Sequence, residues 1–222
     1  MVGLARYGIC ELAISTLLAA GLVALAVMFC PPAAAVPLLM WFGVLWFFRD
    51  PNRRTTERPN VLLSPADGKV SDITPIGPDS ELGQTGTRIG IFMRVYDVHV
   101  NRSPARAVVE AVTHRAGVFL DARDPLAAER NESVTVCLRY NYKGRDYPLV
   151  VRQVAGMIAR RIVSDVKVGQ ELSAGQRIGM IKFGSRLELL VPQELIGRVC
   201  VLLGQRVRAG CSVLVTAEEA EG

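Results

Sequence analysis

Histidine is almost missing from this 222-residue chain, which has only His99 and His114. The five cysteines, Cys10, Cys30, Cys137, Cys200 and Cys211, are odd in number and form no CxxC pair. They read as reduced thiols and speak against a Cys/His centre, so no metal is expected. Aromatics make up 6% of the chain, and the aromatic-and-basic platforms of a nucleic-acid binder are absent, so no nucleic-acid partner is expected. The GxSxG elbow of many serine hydrolases is also missing. Charge is nearly absent before about position 48, whereas the bulk of the 26 basic and 21 acidic residues follows it. Two different solvents are implied.

The uncharged part divides in two. Ile9 to Cys30 runs apolar with only Glu11 charged, long enough for a helix across ~30 Å of hydrocarbon, and Pro31-Pro32 ends it. Ala33 to Phe48 is shorter and carries Trp41, Phe42, Trp46, Phe47 and Phe48, a set suited to a membrane interface. The reading is a membrane helical hairpin over 1–48. Arg6 precedes it and Arg49, Arg53, Arg54 and Arg58 follow, so the positive-inside rule puts both ends and the soluble part in the cytoplasm. A signal peptide cleaved after Ala33-Ala34-Ala35 is the rival, but its h-region would be too long and the second apolar run would be unexplained.

Beyond a basic linker over 49–60, short apolar runs alternate with Gly, Pro and Asp turns from 61 to 222, which predicts a mainly β domain. Asp121 to Glu129 and Ile158 to Val163 are the two modest helix candidates. Val166 to Ile181 sets glycines around short apolar runs, and Val199 to Val215 partly echoes it. Both resemble the hammerhead turns of lipoyl-like and biotinyl-like barrel-sandwich domains, and Ser64 to Val70 has a similar character. Distant pieces are therefore expected to complete one barrel-sandwich-like fold with some α.

Near the C-terminus, Phe183-Gly184-Ser185 offers a specific chemistry. A serine hydroxyl can attack the preceding carbonyl when a base takes its proton, and glycine before it leaves that carbonyl unhindered. The amide becomes an ester, elimination leaves dehydroalanine, and hydrolysis leaves a pyruvoyl group. Gly-Ser is also a common turn dipeptide, so the rest of the chain must supply the base. His99 and His114 are the choices. Asp67, before Gly68, can present an orienting carboxylate, and Asp97 is the local competitor.

Ser64-Pro65-Ala66-Asp67-Gly68, Tyr96-Asp97-Val98-His99-Val100-Asn101-Arg102, Glu129-Arg130-Asn131-Glu132 and Phe183-Gly184-Ser185 resemble, in order, the signature segments of the phosphatidylserine decarboxylase family in its short, FGS-type bacterial and archaeal branch. Ala116 to Ala122 resembles the glycine-and-phenylalanine segment between the histidine and asparagine motifs. The likeness spans roughly residues 50 to 215.

The resemblance implies cleavage between Gly184 and Ser185 into a large β chain (1–184) and a small α chain (185–222) that stay together as a heterodimer, with a further dimer left open. It implies a pyruvoyl cofactor made from Ser185, and His99 and Asp67 beside that serine in a triad-like set. The substrate implied is phosphatidylserine, decarboxylated to phosphatidylethanolamine at the bacterial inner membrane. Where some longer relatives carry a second histidine, this chain has Tyr96, so Tyr96 and His99 are both candidates for the proton donor in turnover. Arg130 and Asn131 are candidates for headgroup binding, Arg130 for bidentate phosphate contact. Two rivals remain on the residues alone: a carrier domain modified at Lys182, and a membrane-anchored serine hydrolase using Ser185, His99 and Asp67.

Overall fold

The computed structural model describes residues 2–55, 58–121, 127–157, 161–182 and 185–218. They form two compact units, Met1–Asn52 and Arg53–Gly222.

The first unit contains β1 (Val2–Leu4), α1 (Ile9–Phe29), α2 (Ala35–Phe47) and β2 (Arg49–Pro51). At ~1.5 Å per residue, the 21 residues of α1 reach about 30 Å, and Arg6–Phe29 is long and apolar enough to cross a membrane. The 13 residues of α2 cover about 20 Å. The two helices form the expected hairpin: Trp41 Nε1 donates to Thr16 Oγ1 at 3.0 Å. Its open end is clipped by β1 and β2, with Gly3 opposite Asp50 and Ala5 N bonded to the Phe48 carbonyl at 2.7 Å. Residues 49–51, expected as linker, are thus a strand.

The second unit is mainly β, as the turn spacing predicts. Its elements are β3 (Val61–Leu63), β4 (Gly68–Ile76), β5 (Gly86–Met93), β6 (Val100–Arg102), β7 (Ala107–Arg115), α3 (Ala127–Arg130), β8 (Ser133–Tyr142), β9 (Arg145–Val154), β10 (Ile162–Ser164), β11 (Glu171–Leu172), β12 (Arg177–Ile181), β13 (Ser185–Pro192), β14 (Ile196–Val199), β15 (Arg206–Val207) and β16 (Val213–Ala217). An antiparallel sheet runs β11-β7-β8-β9-β13-β5-β4-β15, beside two three-stranded sheets, β10-β12-β6 and β14-β16-β3. Because side chains alternate across a strand, Ile89, Ile91, Val136, Leu138, Leu149, Val151, Leu187 and Leu189 share one face and build the core.

The candidate helix at Asp121 to Glu129 is met only by α3, with 122–126 outside the described residues. At Ile158 to Val163 the expectation is corrected. Residues 158–160 lie outside the described set, and Ile162–Ser164 is a strand: its β-branched Ile162 and Val163 pair with Ile181 and Met180.

The echo between 166–181 and 199–215 is half of an internal duplication. Ser64-Pro65-Ala66 and Ser103-Pro104-Ala105 make the same turn, each serine hydroxyl donating to the alanine carbonyl at 2.7 Å. The turns cross: Arg102 N donates to the Pro65 carbonyl at 2.9 Å and Leu63 N to that of Pro104 at 2.8 Å. Gly169 and Gly204 share φ 83° and close matching turns, a left-handed conformation that favours glycine. Strands β6 and β7 with β10 to β12 thus mirror β3 and β4 with β14 to β16.

Candidate active site

Four strand ends meet at one corner of this fold. Strand β5 ends at Met93 and β6 begins at Val100, while β12 ends at Ile181 and β13 begins at Ser185. Ser185 opposes Met93 on one side of the corner, and Met180 opposes Val100 on the other. His99, one residue before Val100, and Ser185 therefore belong to the same corner although they are far apart in sequence. Phe183 and Gly184 lie outside the described residues, so of the Phe183-Gly184-Ser185 segment only Ser185 is described.

Ser185 is fully buried, and by alternation it shares the core face with Leu187 and Leu189. Its Oγ has no hydrogen-bond partner among the described residues, which is costly for a buried hydroxyl. His99 is also fully buried, and its Nδ1 lies 2.9 Å from the Asp97 carbonyl oxygen. A carbonyl can only accept, so Nδ1 carries the proton and Nε2 keeps the lone pair a base requires.

The sequence reading assigned no role to two buried amides here. Gln153 Nε2 donates to Asn101 Oδ1 at 2.8 Å, and Asn101 Nδ2 points to Met93 Sδ at 3.7 Å. Gln153 opposes Leu187, and its Oε1 has no partner among the described residues. The polar pair Arg152-Gln153 interrupting the apolar run Leu149 to Val154 was the available signal. Gly179 makes room beside it: a Cβ there would lie 2.1 Å from the Val163 carbonyl oxygen and 3.2 Å from Gln153 Nε2.

The other expected residues are distributed around the corner. Asp67 Oδ1 accepts from Ala209 N at 2.8 Å and Oδ2 from Arg53 Nη2 at 2.7 Å, so the group holding His99 Nδ1 is the Asp97 backbone and not the Asp67 carboxylate. Asp97 is itself pinned, with its carboxylate accepting from Arg94 N at 2.9 Å and Arg206 Nη2 at 2.8 Å. Tyr96, half exposed, accepts a bond from Arg94 at its hydroxyl.

Asn131 is fully buried and uses its amide on the backbone, donating to the carbonyls of Leu120 and Ala155 at 2.9 and 2.8 Å and accepting from Leu120 N at 2.8 Å. It fastens the 117–120 segment, where a Cβ on Gly117 would lie 2.3 Å from the Arg130 carbonyl oxygen. That use leaves Arg130, which is exposed, as the better candidate for a headgroup. His114 is exposed and bonds Glu132 at 3.1 Å. Lys182 is 5% exposed, unsuited to the protruding lysine of a carrier. A cavity of about 410 Å³ lies elsewhere, between Arg58, Arg106, Tyr140 and Ala174.

The opposite face of β13 carries a charged anchor. Glu188, fully buried, meets Arg186 Nη2 at 2.8 Å and Arg152 Nε at 3.0 Å, the latter without hydrogen-bond alignment. Arg186 also reaches Asp72 at 2.8 Å, and Arg152 bonds Glu81. Burial opposes the charge of Glu81, but the charge and hydrogen bond of Arg152, together with a backbone hydrogen bond and the charge of Arg115, hold the carboxyl below its ordinary range. Replacing Glu188 by leucine removes the one fully buried carboxylate between Arg152 and Arg186 and leaves them only the more exposed Glu81 and Asp72, so a loss of about 3 kcal/mol is expected, read as a melting temperature roughly 6–12 °C lower. An unchanged melting curve would show that the network contributes nothing.

The class defined here is a mainly β protein with a buried serine opening a strand, a buried histidine at the same corner, and a separate unit holding a helix long and apolar enough to cross a membrane. Comparison with known proteins narrows the class. The phosphatidylserine decarboxylase family model matches residues 42–215. The chain is 43% identical over 192 residues to the phosphatidylserine decarboxylase proenzyme of Cereibacter sphaeroides, covering 82% of this chain and 81% of the relative. It is 40% identical to the proenzymes of Paramagnetospirillum magneticum, covering 83% and 78%, and of Syntrophus aciditrophicus, covering 82% and 84%. The chain belongs to the phosphatidylserine decarboxylase family.

Proposed function

We propose that this chain is a proenzyme that cuts itself before Ser185 and then decarboxylates phosphatidylserine to phosphatidylethanolamine. The observation that carries this reading is the fully buried Ser185 Oγ, without a partner among the described residues, at the corner that also holds His99. A solvent-sealed hydroxyl suits a first reaction whose substrate is the chain itself.

His99 Nε2 takes the Ser185 proton, and Oγ attacks the Gly184 carbonyl. The C–N bond breaks, and an ester joins Gly184 to the serine oxygen with a free amine at position 185. Loss of the Cα proton then expels Gly184 as a carboxylate, and one water hydrolyses the resulting enamine, releasing ammonia and leaving a ketone. The pyruvoyl group so formed supplies an electron sink for losing carbon dioxide from an amino-acid headgroup.

His99 is the proton donor we favour for turnover, because it is buried at the corner whereas Tyr96 is at the surface. Asp67 is kept as the supporting carboxylate on the family pattern, and Arg130 as the phosphate contact. The small chain stays attached because β13 pairs with both β5 and β9, giving a heterodimer. Helix α1 would anchor it in the inner membrane, and the flanking arginines favour a cytoplasmic catalytic unit.

Denatured mass spectrometry of the purified wild-type protein tests the reading. The expected result is two chains, the smaller beginning at 185 and lighter than its serine form by one ammonia, with carbon dioxide release from phosphatidylserine abolished by hydroxylamine. A single intact chain that is active, or two chains with a serine N-terminus, would overturn it.

A further inference from the structure

Two turns near His99 carry exposed apolar side chains at their tips. Val95 and Tyr96 are each 50% exposed at the tip of the 94–97 turn, and Leu202 and Leu203 are 76% and 69% exposed at the tip of the 202–205 turn. The turns are joined: Arg206 Nη2 lies 2.8 Å from Asp97 Oδ1, and the Arg94 and Arg206 guanidinium carbons each lie 5.8 Å from the Tyr96 ring centroid. Lys69 pairs with Arg206 across β4 and β15, adding a third cation beside the apolar tips.

The duplication provides an internal control for the leucines. Leu202 N donates to Gln205 Oε1 at 2.9 Å and Gln205 N to the Leu202 carbonyl at 3.1 Å. In the matching turn Lys167 N donates to Gln170 Oε1 at 3.1 Å and Gln170 N to the Lys167 carbonyl at 3.0 Å. The same turn is made with Lys167-Val168 where the other copy has Leu202-Leu203, so its geometry does not require the leucine pair.

We infer that the paired turns are a docking element that inserts Val95, Tyr96, Leu202 and Leu203 into the surface of an anionic bilayer, with Lys69, Arg94 and Arg206 meeting the headgroups. This rests on the functional reading above and adds a second lipid contact, in the catalytic unit itself. Apolar tips ringed by cations match an interface with apolar depth and negative surface charge. The 94–97 turn also supplies the carbonyl that orients His99, so lipid contact occurs three residues from the proposed base.

The test compares the full-length, processed enzyme with its Leu202→Glu/Leu203→Glu variant and a milder Leu202→Ser/Leu203→Ser variant. Each is given phosphatidylserine in phosphatidylglycerol vesicles and, separately, a short-chain phosphatidylserine dispersed as monomers. The expected outcome is a loss of about tenfold or more on vesicles, with self-cleavage and the monomer rate unchanged and the serine variant intermediate. In the wild type, amide hydrogen exchange at 202–206 should slow in anionic nanodiscs relative to detergent. Unchanged vesicle rates with no exchange protection would overturn the proposal. Protection that follows protein concentration in detergent would also overturn it, by assigning the patch to a second copy of the chain. If the wild type releases carbon dioxide from neither substrate, the functional reading fails, and the exchange experiment still decides the docking.

Discussion

Replacing Ser185 by alanine is expected to leave one uncut chain of 24.1 kDa with no decarboxylase activity and a melting temperature close to that of an uncut precursor. The oxygen removed is both nucleophile and origin of the ketone, so no side chain at another position can replace it. Structure should be spared: Ser185 Oγ has no partner among the described residues, so no hydrogen bond to them is lost, and alanine keeps the backbone pairing with Met93. Removing an unsatisfied buried hydroxyl can even stabilise. Two chains from the alanine protein on a denaturing gel would sink the self-cleavage mechanism, and an unfolded protein would contradict the geometry at β13.

The second large effect is expected at His99. Alanine there removes the lone pair that receives the serine proton, and general-base catalysis is typically worth ~10²–10⁴-fold, so precursor should persist over times in which the wild type is fully cut. Glutamine at 99 separates chemistry from packing. Its amide can donate to the Asp97 carbonyl as Nδ1 does, but it supplies no base, so His99→Gln should fold and remain uncut. Pulse-chase measurement of both variants, with circular dichroism for folding, decides the point. Wild-type cleavage by folded His99→Gln would remove the histidine from the base role.

Much of this protein was legible locally. The apolar run of α1, the proline break and the arginines on either side are properties of consecutive residues, and the hairpin follows from them. Short apolar runs reveal β strands, and the Gly, Pro and Asp turns between them reveal where they end. The Gly184-Ser185 pair and the scarcity of histidine narrowed the chemistry to a few side chains before any contact was known. Local reading failed where a short segment took its structure from a distant neighbour. Ile162 and Val163 could have ended a helix, but the edge of β12 made them a strand.

The duplication shows why half of a pattern was visible. The glycine turns at 169 and 204 repeat in sequence, but Ser103-Pro104-Ala105 directly follows the histidine segment, 39 positions after Ser64-Pro65-Ala66 and with little around it that repeats. Only the crossed bonds from Arg102 to Pro65 and from Leu63 to Pro104 reveal it as the counterpart of Ser64-Pro65-Ala66.

The sequence by itself determined the mainly β character, the long apolar helix and the candidate serine and histidine, because these depend on residue type and short-range pattern. Tertiary structure decided that Asp97's carbonyl orients His99, that Arg53 and Ala209 occupy Asp67, that Asn131 turns inward to the backbone, and that Gln153 and Asn101 meet beside Met93. Those contacts depend on strand register between segments as much as 142 residues apart, as for Asp67 and Ala209, and a one-residue slip would turn each strand's side chains to the other face.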